Sequence, residues 1–458
     1  MKLSAREKYS YGLGALGKDM VCGLIFTYAM VYFTDVLKIS AAFVGTLFFL
    51  AKFWDAVNDL GMGMIVDNTK SKWGKFRPWI LIGTLVNSVI FAALFTNWGL
   101  SGTALYVFAA VMYILWGMSY TIMDIPYWSM LPNLTSNKEE RDKVAVIPRI
   151  FASIGGSLLV GGFGLQIMDF LGNGNAQMGY SRFAYLITLI FIITAVITVT
   201  NVKSADHVKV IKEEKTSFKS MIHIILKNDQ LLVAIAVILT FNFAMQVMTG
   251  VSLYYFLYVA GSKAMFSTYT MFAGLAEISG LFIFPKISKH LHRNQVYFLA
   301  SAVPTVGLAL LLITGFIAPT SFLLTAICGF FVKFGSGLQL GVVTVVLADV
   351  VDYGEYKFGT RNESITFSIQ TLLVKFTSAM GALLTGFALN MTGYVPNAVQ
   401  SVATLTGIRF VMIGIPIIFV IISFVIYKTK FKLNGAYYDK IMNILALRKE
   451  EANNTVTN

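Results

Sequence analysis

Twelve apolar runs, each close to the length of a bilayer-spanning helix, constrain this chain more than any other feature. They lie at about 11 to 35, 41 to 66, 78 to 98, 103 to 131, 145 to 171, 183 to 202, 230 to 259, 264 to 285, 295 to 317, 320 to 348, 364 to 391 and 407 to 427. Roughly 20 mostly apolar residues cross the hydrocarbon layer as a helix. Lipid offers no partner for backbone N–H and C=O groups, so spans of this length must bond internally as helices. The composition agrees: 56% of residues are apolar and 13% charged, against about 25% charged in a soluble domain. The sequence therefore predicts an all-α, polytopic membrane protein.

The net charge of +13 could point to an anionic partner, so the placement of Lys and Arg decides its meaning. With the amino terminus inside, only Lys38, Arg182, Lys263 and Arg409 fall in outer segments, and Lys18, Lys52, Arg149, Lys333 and Lys375 fall within spans. The rest of the 36 basic residues lie on the cytoplasmic side. That asymmetry follows the positive-inside rule. It places both termini in the cytoplasm and argues against a nucleic-acid partner.

The charged stretch KSADHVKVIKEEKTSFKSMIHIILKNDQ, 203 to 230, separates the sixth span from the seventh. The expected organisation is a six-helix bundle over 1–203, a cytoplasmic loop over 204–229, a second six-helix bundle over 230–430 and a cytoplasmic tail over 431–458. In each half a short basic loop joins the second and third spans, DNTKSKWGKFRPW in one and FPKISKHLHRN in the other. Two structural repeats would place a site near mid-membrane, at their interface. The cytoplasmic loops are where a regulatory protein would dock. Cys22 and Cys328 fall within spans and read as core fillers, not a disulfide framework. His207, His223, His290 and His292 all lie in or beside cytoplasmic loops. Arg6 and Lys8 lead straight into a span longer than a signal h-region, so no cleavable signal peptide is expected.

A charge at mid-bilayer costs roughly 2.5 to 3.5 kcal/mol on insertion scales, so each one needs a partner or a function. The stretch AKFWDAVNDLGMG, 51 to 63, places Asp55 and Asp59 four residues apart on one helical face, about 6 Å from each other. At an effective dielectric near 20, two ionised carboxylates at that distance repel by roughly 3 kcal/mol. Something positive must relieve them. The candidates are a proton, Lys52, Lys375, or a cation such as Na+ or Li+ held with help from Asn58 and the hydroxyl of Thr121, since hard cations prefer oxygen ligands. A structural cluster of ion pairs is the plainer reading.

On the fourth span Tyr120, Asp124 and Trp128 recur every four residues and share a face. A carboxylate beside an aromatic ring suits a sugar, through its hydroxyls and its apolar C–H face. The alternatives make Trp128 an interfacial belt residue and Asp124 a partner of Arg149. Lys18 and Asp19 are adjacent, so their side chains are expected to diverge by about 100°. On the eleventh span Thr371 and Lys375 lie four apart beside Gln370, and Lys375 is either a link between halves or a plain salt-bridge partner. Glu277 and Lys333, on the eighth and tenth spans, are expected to pair.

Taken together, KYSYGLGALGKDM, WGKFRPWILIGTLVNS, YILWGMSYTIMDIPYWS, LADVVDYGEYK, ESITFSIQTLLVKFTSA and FKLNGAYYDKI resemble the glycoside, pentoside and hexuronide cation symporter family of the major facilitator superfamily. The resemblance covers nearly the whole chain. It implies the major facilitator fold, with two pseudo-symmetric six-helix bundles, and uptake of a sugar, an α-galactoside such as melibiose by preference, with Na+, Li+ or H+. By the same resemblance Asp55, Asn58, Asp59 and Thr121 match the cation site. Lys18, Asp19, Asp124, Trp128, Arg149 and Thr371 match the sugar ligands, with Tyr120 and Gln370 nearby, and Lys375 matches the lysine between the two sites. The family has proline where this chain has Leu60 and an aromatic residue where it has Leu340, and it carries no charge at positions 277 and 333.

The rival readings are a symporter of another glycoside, a lysolipid symporter, a non-transporting sugar sensor and an integral-membrane enzyme. Lys18, Asp19, Asp124 and Arg149 argue against an apolar lipid cavity. An enzyme is disfavoured because the spans hold no histidine, neither cysteine has an evident activating neighbour, and no GxxxxGK[ST] loop occurs. No cofactor is expected beyond the co-transported cation.

Overall fold

The computed structural model describes residues 3–135, 138–202, 226–359 and 363–456, and among these no strand occurs. The helices in chain order are α1 (Ala5–Val31), α2 (Ala41–Asp67), α3 (Arg77–Leu94), α4 (Gly102–Met130), α5 (Lys138–Ser153), α6 (Phe163–Gly172), α7 (Ala176–Asn201), α8 (Asp229–Tyr254), α9 (Lys263–His290), α10 (Arg293–Ile317), α11 (Phe322–Phe358), α12 (Glu363–Met391), α13 (Val402–Arg409), α14 (Ile415–Lys430) and α15 (Gly435–Val456). Eleven spans among the described residues are long and apolar enough to cross a membrane. Two further long helices fall outside that set: α2, which carries Lys52, Asp55 and Asp59 within the apolar run, and the polar α15.

Local chemistry sets the helix ends. Ser4 and Glu7 form a capping box at α1, with the Glu7 amide 3.2 Å from the Ser4 hydroxyl and the Ser4 amide 2.9 Å from the Glu7 carboxylate, satisfying two otherwise orphaned donors. Asn175 caps α7 and Ser321 caps α11 more simply, each side-chain oxygen accepting one backbone N–H, from Met178 and Leu324. At the end of α11 Gly359 takes a left-handed conformation with φ 70°, which suits a residue without Cβ.

Two sequence-based boundaries change. The fifth run is not one α-helix: α5 passes into a π-helical segment at Ile154–Gly162 before α6. This stretch, IGGSLLVGG, is glycine-rich, and its backbone packs directly on α1. A Cβ on Gly155 would collide with the carbonyl of Leu16, and one on Gly23 would lie 3.0 Å from Gly156. Close helix approach through small residues is the membrane-packing rule, and here it overrides the α geometry of one partner. The tenth run extends well past 348, because α11 continues through the polar DVVDYGEYKF.

Contacts divide the chain into two compact units that interleave along the sequence. Unit 1 comprises Met1–Ile211, Thr249–Gly274 and Ala382–Ile408, and unit 2 comprises Lys212–Met248, Leu275–Gly381 and Arg409–Asn458. Unit 1 centres on α1, which Thr198 of α7 joins by donating to the Ser10 carbonyl at 2.7 Å. Tyr11 of α1 and Tyr127 of α4 stack 4.6 Å apart, and each hydroxyl donates to the other's carbonyl, at 2.9 and 2.5 Å. Asn87 of α3 donates to the Trp116 carbonyl of α4 at 2.9 Å. α4 is thereby fixed on both sides.

Unit 2 has an aliphatic core that includes Leu231, Val237, Val296, Leu347 and Leu373. Its ionic contacts gather at helix ends. Arg293 at the start of α10 pairs with Asp349, Lys357 bonds Asp229 at 2.5 Å, and Tyr438 of α15 donates to Asp352 at 2.8 Å. Cys22 and Cys328 are free and buried.

Candidate functional site

The polar cluster of unit 1 is built on α4, which meets α1 with one turn and α2 with the next. From α1, Lys18 is 3% exposed. Its ammonium lies 2.8 Å from Asp124 Oδ1, 3.2 Å from Asp19 Oδ2 and 3.3 Å from the Tyr120 hydroxyl. The Trp128 ring centroid is 4.9 Å from the same nitrogen. Burying an ammonium is tolerable only with such a set of partners.

The expectation that Lys18 and Asp19 diverge is corrected. Their Cα–Cβ vectors do differ, but the four-carbon stem of lysine carries the ammonium back to its neighbour's carboxylate. Asp19 Oδ2 is buried, and the ammonium at 3.2 Å is its charge partner. Arg149 does not pair with Asp124 in the recorded contacts. Its guanidinium stacks on Trp128, 4.6 Å from the ring centroid, so two cations share one indole. Favourable cation–π attraction then holds the ring in place.

The second cluster joins α2 to α4. Thr121 donates to Asp59 Oδ1 at 3.0 Å, and Asn58 donates to the Met118 carbonyl at 3.3 Å. Lys52 Nζ stands 3.8 Å from Asp55 Oδ2. Asp55 reaches α4 because residue 117 is glycine: a Cβ there would sit 2.5 Å from Asp55 Oδ1. The countercharge anticipated from the sequence is thus partly supplied by Lys52, one turn away on the same helix. No group of three or more His, Cys, Asp or Glu occurs among the described residues. Carboxylate, amide and hydroxyl oxygens are the ligand types that hard cations prefer.

Gln370 and Lys375 are half-buried on α12 in unit 2, and the side chain of Thr371 lies outside the described residues. Glu277 and Lys333 do meet, at 3.5 Å. Most of the 203–230 linker, with His207 and His223, also lies outside the described residues.

One cluster escaped the sequence reading. Asp35 is 8% exposed and sits in a π turn, Tyr32–Val36, that ends the first span. Its carboxylate accepts from Thr34 at 2.6 Å, from Tyr394 at 2.5 Å and from Tyr258. Burial and the adjacent Asp35 charge hold the Tyr394 phenol far above its ordinary value, so it remains a donor. A sequence signal existed. YFTDV at 32–36 and YFLYV at 255–259 end the first span of each half, and both are π turns.

Buried charges on transmembrane helices mark a candidate functional site. Residues 10–435 match the MFS/sugar transport protein family, and the chain belongs to that family. It is a multi-pass protein of the bacterial plasma membrane. The isoprimeverose transporter of Lactiplantibacillus pentosus is 29% identical over 416 residues, covering 90% of this chain and 85% of that protein. The lactose permease of Lactobacillus delbrueckii subsp. bulgaricus is 27% identical, with 97% and 73% covered. Among solved structures, a bacterial homolog of the human lysosomal transporter Spinster superposes with a TM-score of 0.69 at 14% identity, covering 95% of this chain and 99% of that one. That likeness shows the fold.

Proposed function

We propose that this protein is a cation-coupled symporter of a glycoside, working by alternating access with both termini in the cytoplasm. The cation is Na+, Li+ or H+, held by Asp55 and Asp59 with Asn58 and Thr121. The sugar is bound by Lys18, Asp19, Asp124, Trp128 and Arg149, with Tyr120, Gln370 and Thr371, and Lys375 couples the two sites. The resemblance to melibiose permease within the symporter family makes an α-galactoside such as melibiose the first choice of substrate.

One observation carries this reading: Thr121, bonded to Asp59, and Asp124, bonded to Lys18, are a single turn apart on α4. A cation that neutralises the α2 carboxylates relaxes their mutual repulsion and lets Thr121 settle, which fixes the rotation of α4. The same rotation aims Asp124 at a sugar hydroxyl, beside Asp19 of α1. Linkage then requires that sugar tighten the cation by the same factor. One positive charge moving through 100 mV releases about 2.3 kcal/mol, equivalent to roughly fiftyfold accumulation of a neutral sugar.

The test is uptake of a labelled glycoside panel, melibiose included, into membrane vesicles with a Na+, Li+ or proton gradient as the only driving force. Cation-driven accumulation of an α-galactoside that disappears in Asp55→Cys supports the assignment. Accumulation of a different glycoside would keep the coupling and move the substrate. No accumulation with any sugar and cation, from a folded and inserted protein, would remove it and bring forward the lysolipid carrier and the sensor.

A further inference from the structure

We propose that the Asp35 carboxylate, gripped by Tyr258 and Tyr394, is the latch that holds shut the end of the transport path remote from the chain termini. The inference rests on the transporter reading but on no particular sugar or cation.

Asp35 is the meeting point of three chain segments within unit 1. Tyr258 belongs to the π turn that ends the first span of the second half, at the position matching Asp35 in the YFTDV and YFLYV pair. Tyr394 and Asn397 belong to the loop after α12. The two tyrosines also bond each other at 3.0 Å, the Asn397 side-chain amide donates to the Asp35 carbonyl at 2.5 Å, and the Asn397 backbone amide donates to the Tyr258 hydroxyl at 3.2 Å. Beside this hub, Tyr254 and Thr34 share a hydrogen bond of 2.7 Å. The latch therefore joins equivalent points of the two repeats, where a rocking motion would separate them.

Neighbouring contacts in unit 1 close the same end. Ser267 of α9 donates to Gln166 of α6 at 3.1 Å, and Thr270 donates to the Gly161 carbonyl at 2.8 Å. A Cβ on Gly45 of α2 would lie 2.9 Å from Gly386 of α12, which leaves no room for a solute between those backbones. A cavity of about 460 Å³ is lined by Asp35, Tyr258 and Asn397 on one side and by the Asp169–Lys263 pair on another. That pair spans 2.8 Å, but its side chains are 57% and 54% exposed. Exposed ion pairs hold little. Bonds to a buried carboxylate are stronger than neutral ones, so the hub and not the surface pair keeps this end closed. The cavity is then the vestibule in front of the latch.

The latch can be tested without transport. Two reporters are placed singly in a background with Cys22 and Cys328 replaced: S267C, buried on α9 against Gln166 of α6, and S10C, buried near the start of α1. Maleimide labelling rates are measured on purified protein in nanodiscs, where both membrane faces are open to reagent. With Asp35→Asn added, labelling of S267C should rise at least fivefold while S10C stays within twofold of its parent. Tyr394→Phe, which keeps the carboxylate and removes one donor, should give a smaller rise at S267C. Lys263→Gln should change neither rate by more than twofold. The proposal is overturned if Asp35→Asn and Tyr394→Phe both leave S267C within twofold of its parent, or if S10C accelerates equally, which would mean general loosening. A lower melting temperature with S267C still protected would likewise reduce Asp35 to a structural residue.

Discussion

Unit 1 and unit 2 are both bundles of apolar helices, yet they place their charges differently. Unit 1 holds Lys18, Asp19, Lys52, Asp55, Asp59 and Asp124 in the middle of helices. Unit 2 puts Arg293, Lys357 and Asp229 at helix ends, where they join elements to one another, and fills its interior with aliphatic side chains and the stacked Tyr297–Tyr427 pair, 3.8 Å between centroids. Buried charge is costly, so a fold retains it in mid-helix where it has work to do. The difference teaches that α1, α2 and α4 carry the densest intramembrane charge, which is why the proposed cation and sugar sites are placed there. Glu277–Lys333, Lys375 and the buried Asp349 of α11 stand as exceptions inside helices.

The comparison can be broken most decisively at α2. Asp59→Cys should reduce cation-driven sugar accumulation more than tenfold in vesicles, while counterflow without a gradient keeps a measurable fraction of its rate. Equal loss of both would assign Asp59 to the framework instead. Next in size is the α1–α4 pair. Asp124→Asn strips the buried Lys18 ammonium of its nearest counterion, and breaking a buried pair costs about 3 to 5 kcal/mol. The melting temperature of purified protein should fall sharply, and adding Lys18→Met should restore part of the loss. Without that partial recovery, the two residues act independently.

A smaller effect sharpens the role of the α2–α4 approach. Gly117→Ala intrudes on Asp55, so apparent cation affinity should drop severalfold in a binding titration, with sugar affinity at saturating cation little changed. The smallest effect is expected at the half-exposed pair of unit 2, with side chains 44% and 22% exposed. Glu277→Lys alone sets two ammonium groups together inside the spans and should lower the melting temperature, by less than Asp124→Asn does because both side chains keep some exposure, and the charge-swapped double variant should recover it. A large single-variant loss would show that unit 2 also depends on mid-helix charge.

The helices were legible because each span declares itself: twenty apolar residues admit one solution in lipid. The acids of α2 and α4 were legible for the complementary reason, since charge in an apolar run is conspicuous. Asp35 was hidden because it stands at the end of its span, where a carboxylate is unremarkable by composition. Its partners are tyrosines, counted among apolar residues, 223 and 359 positions away. The reach of Lys18 back to Asp19 was missed because helical angles describe where a side chain starts, not where a long one ends. The break in the fifth span depends on a neighbour, α1, pressing on its glycines, and no window of local sequence contains that neighbour.

The π turn at Tyr32–Val36 has one more consequence. A π turn is an α-helix with one surplus residue, so it resets the phase of everything that follows it by about 100°. The matching surplus at Tyr255–Val259 means that both repeats carry the same offset. Deleting a single residue from either turn would restore an uninterrupted α-helix, leave hydropathy and length almost untouched, and rotate one half of the latch away from the other.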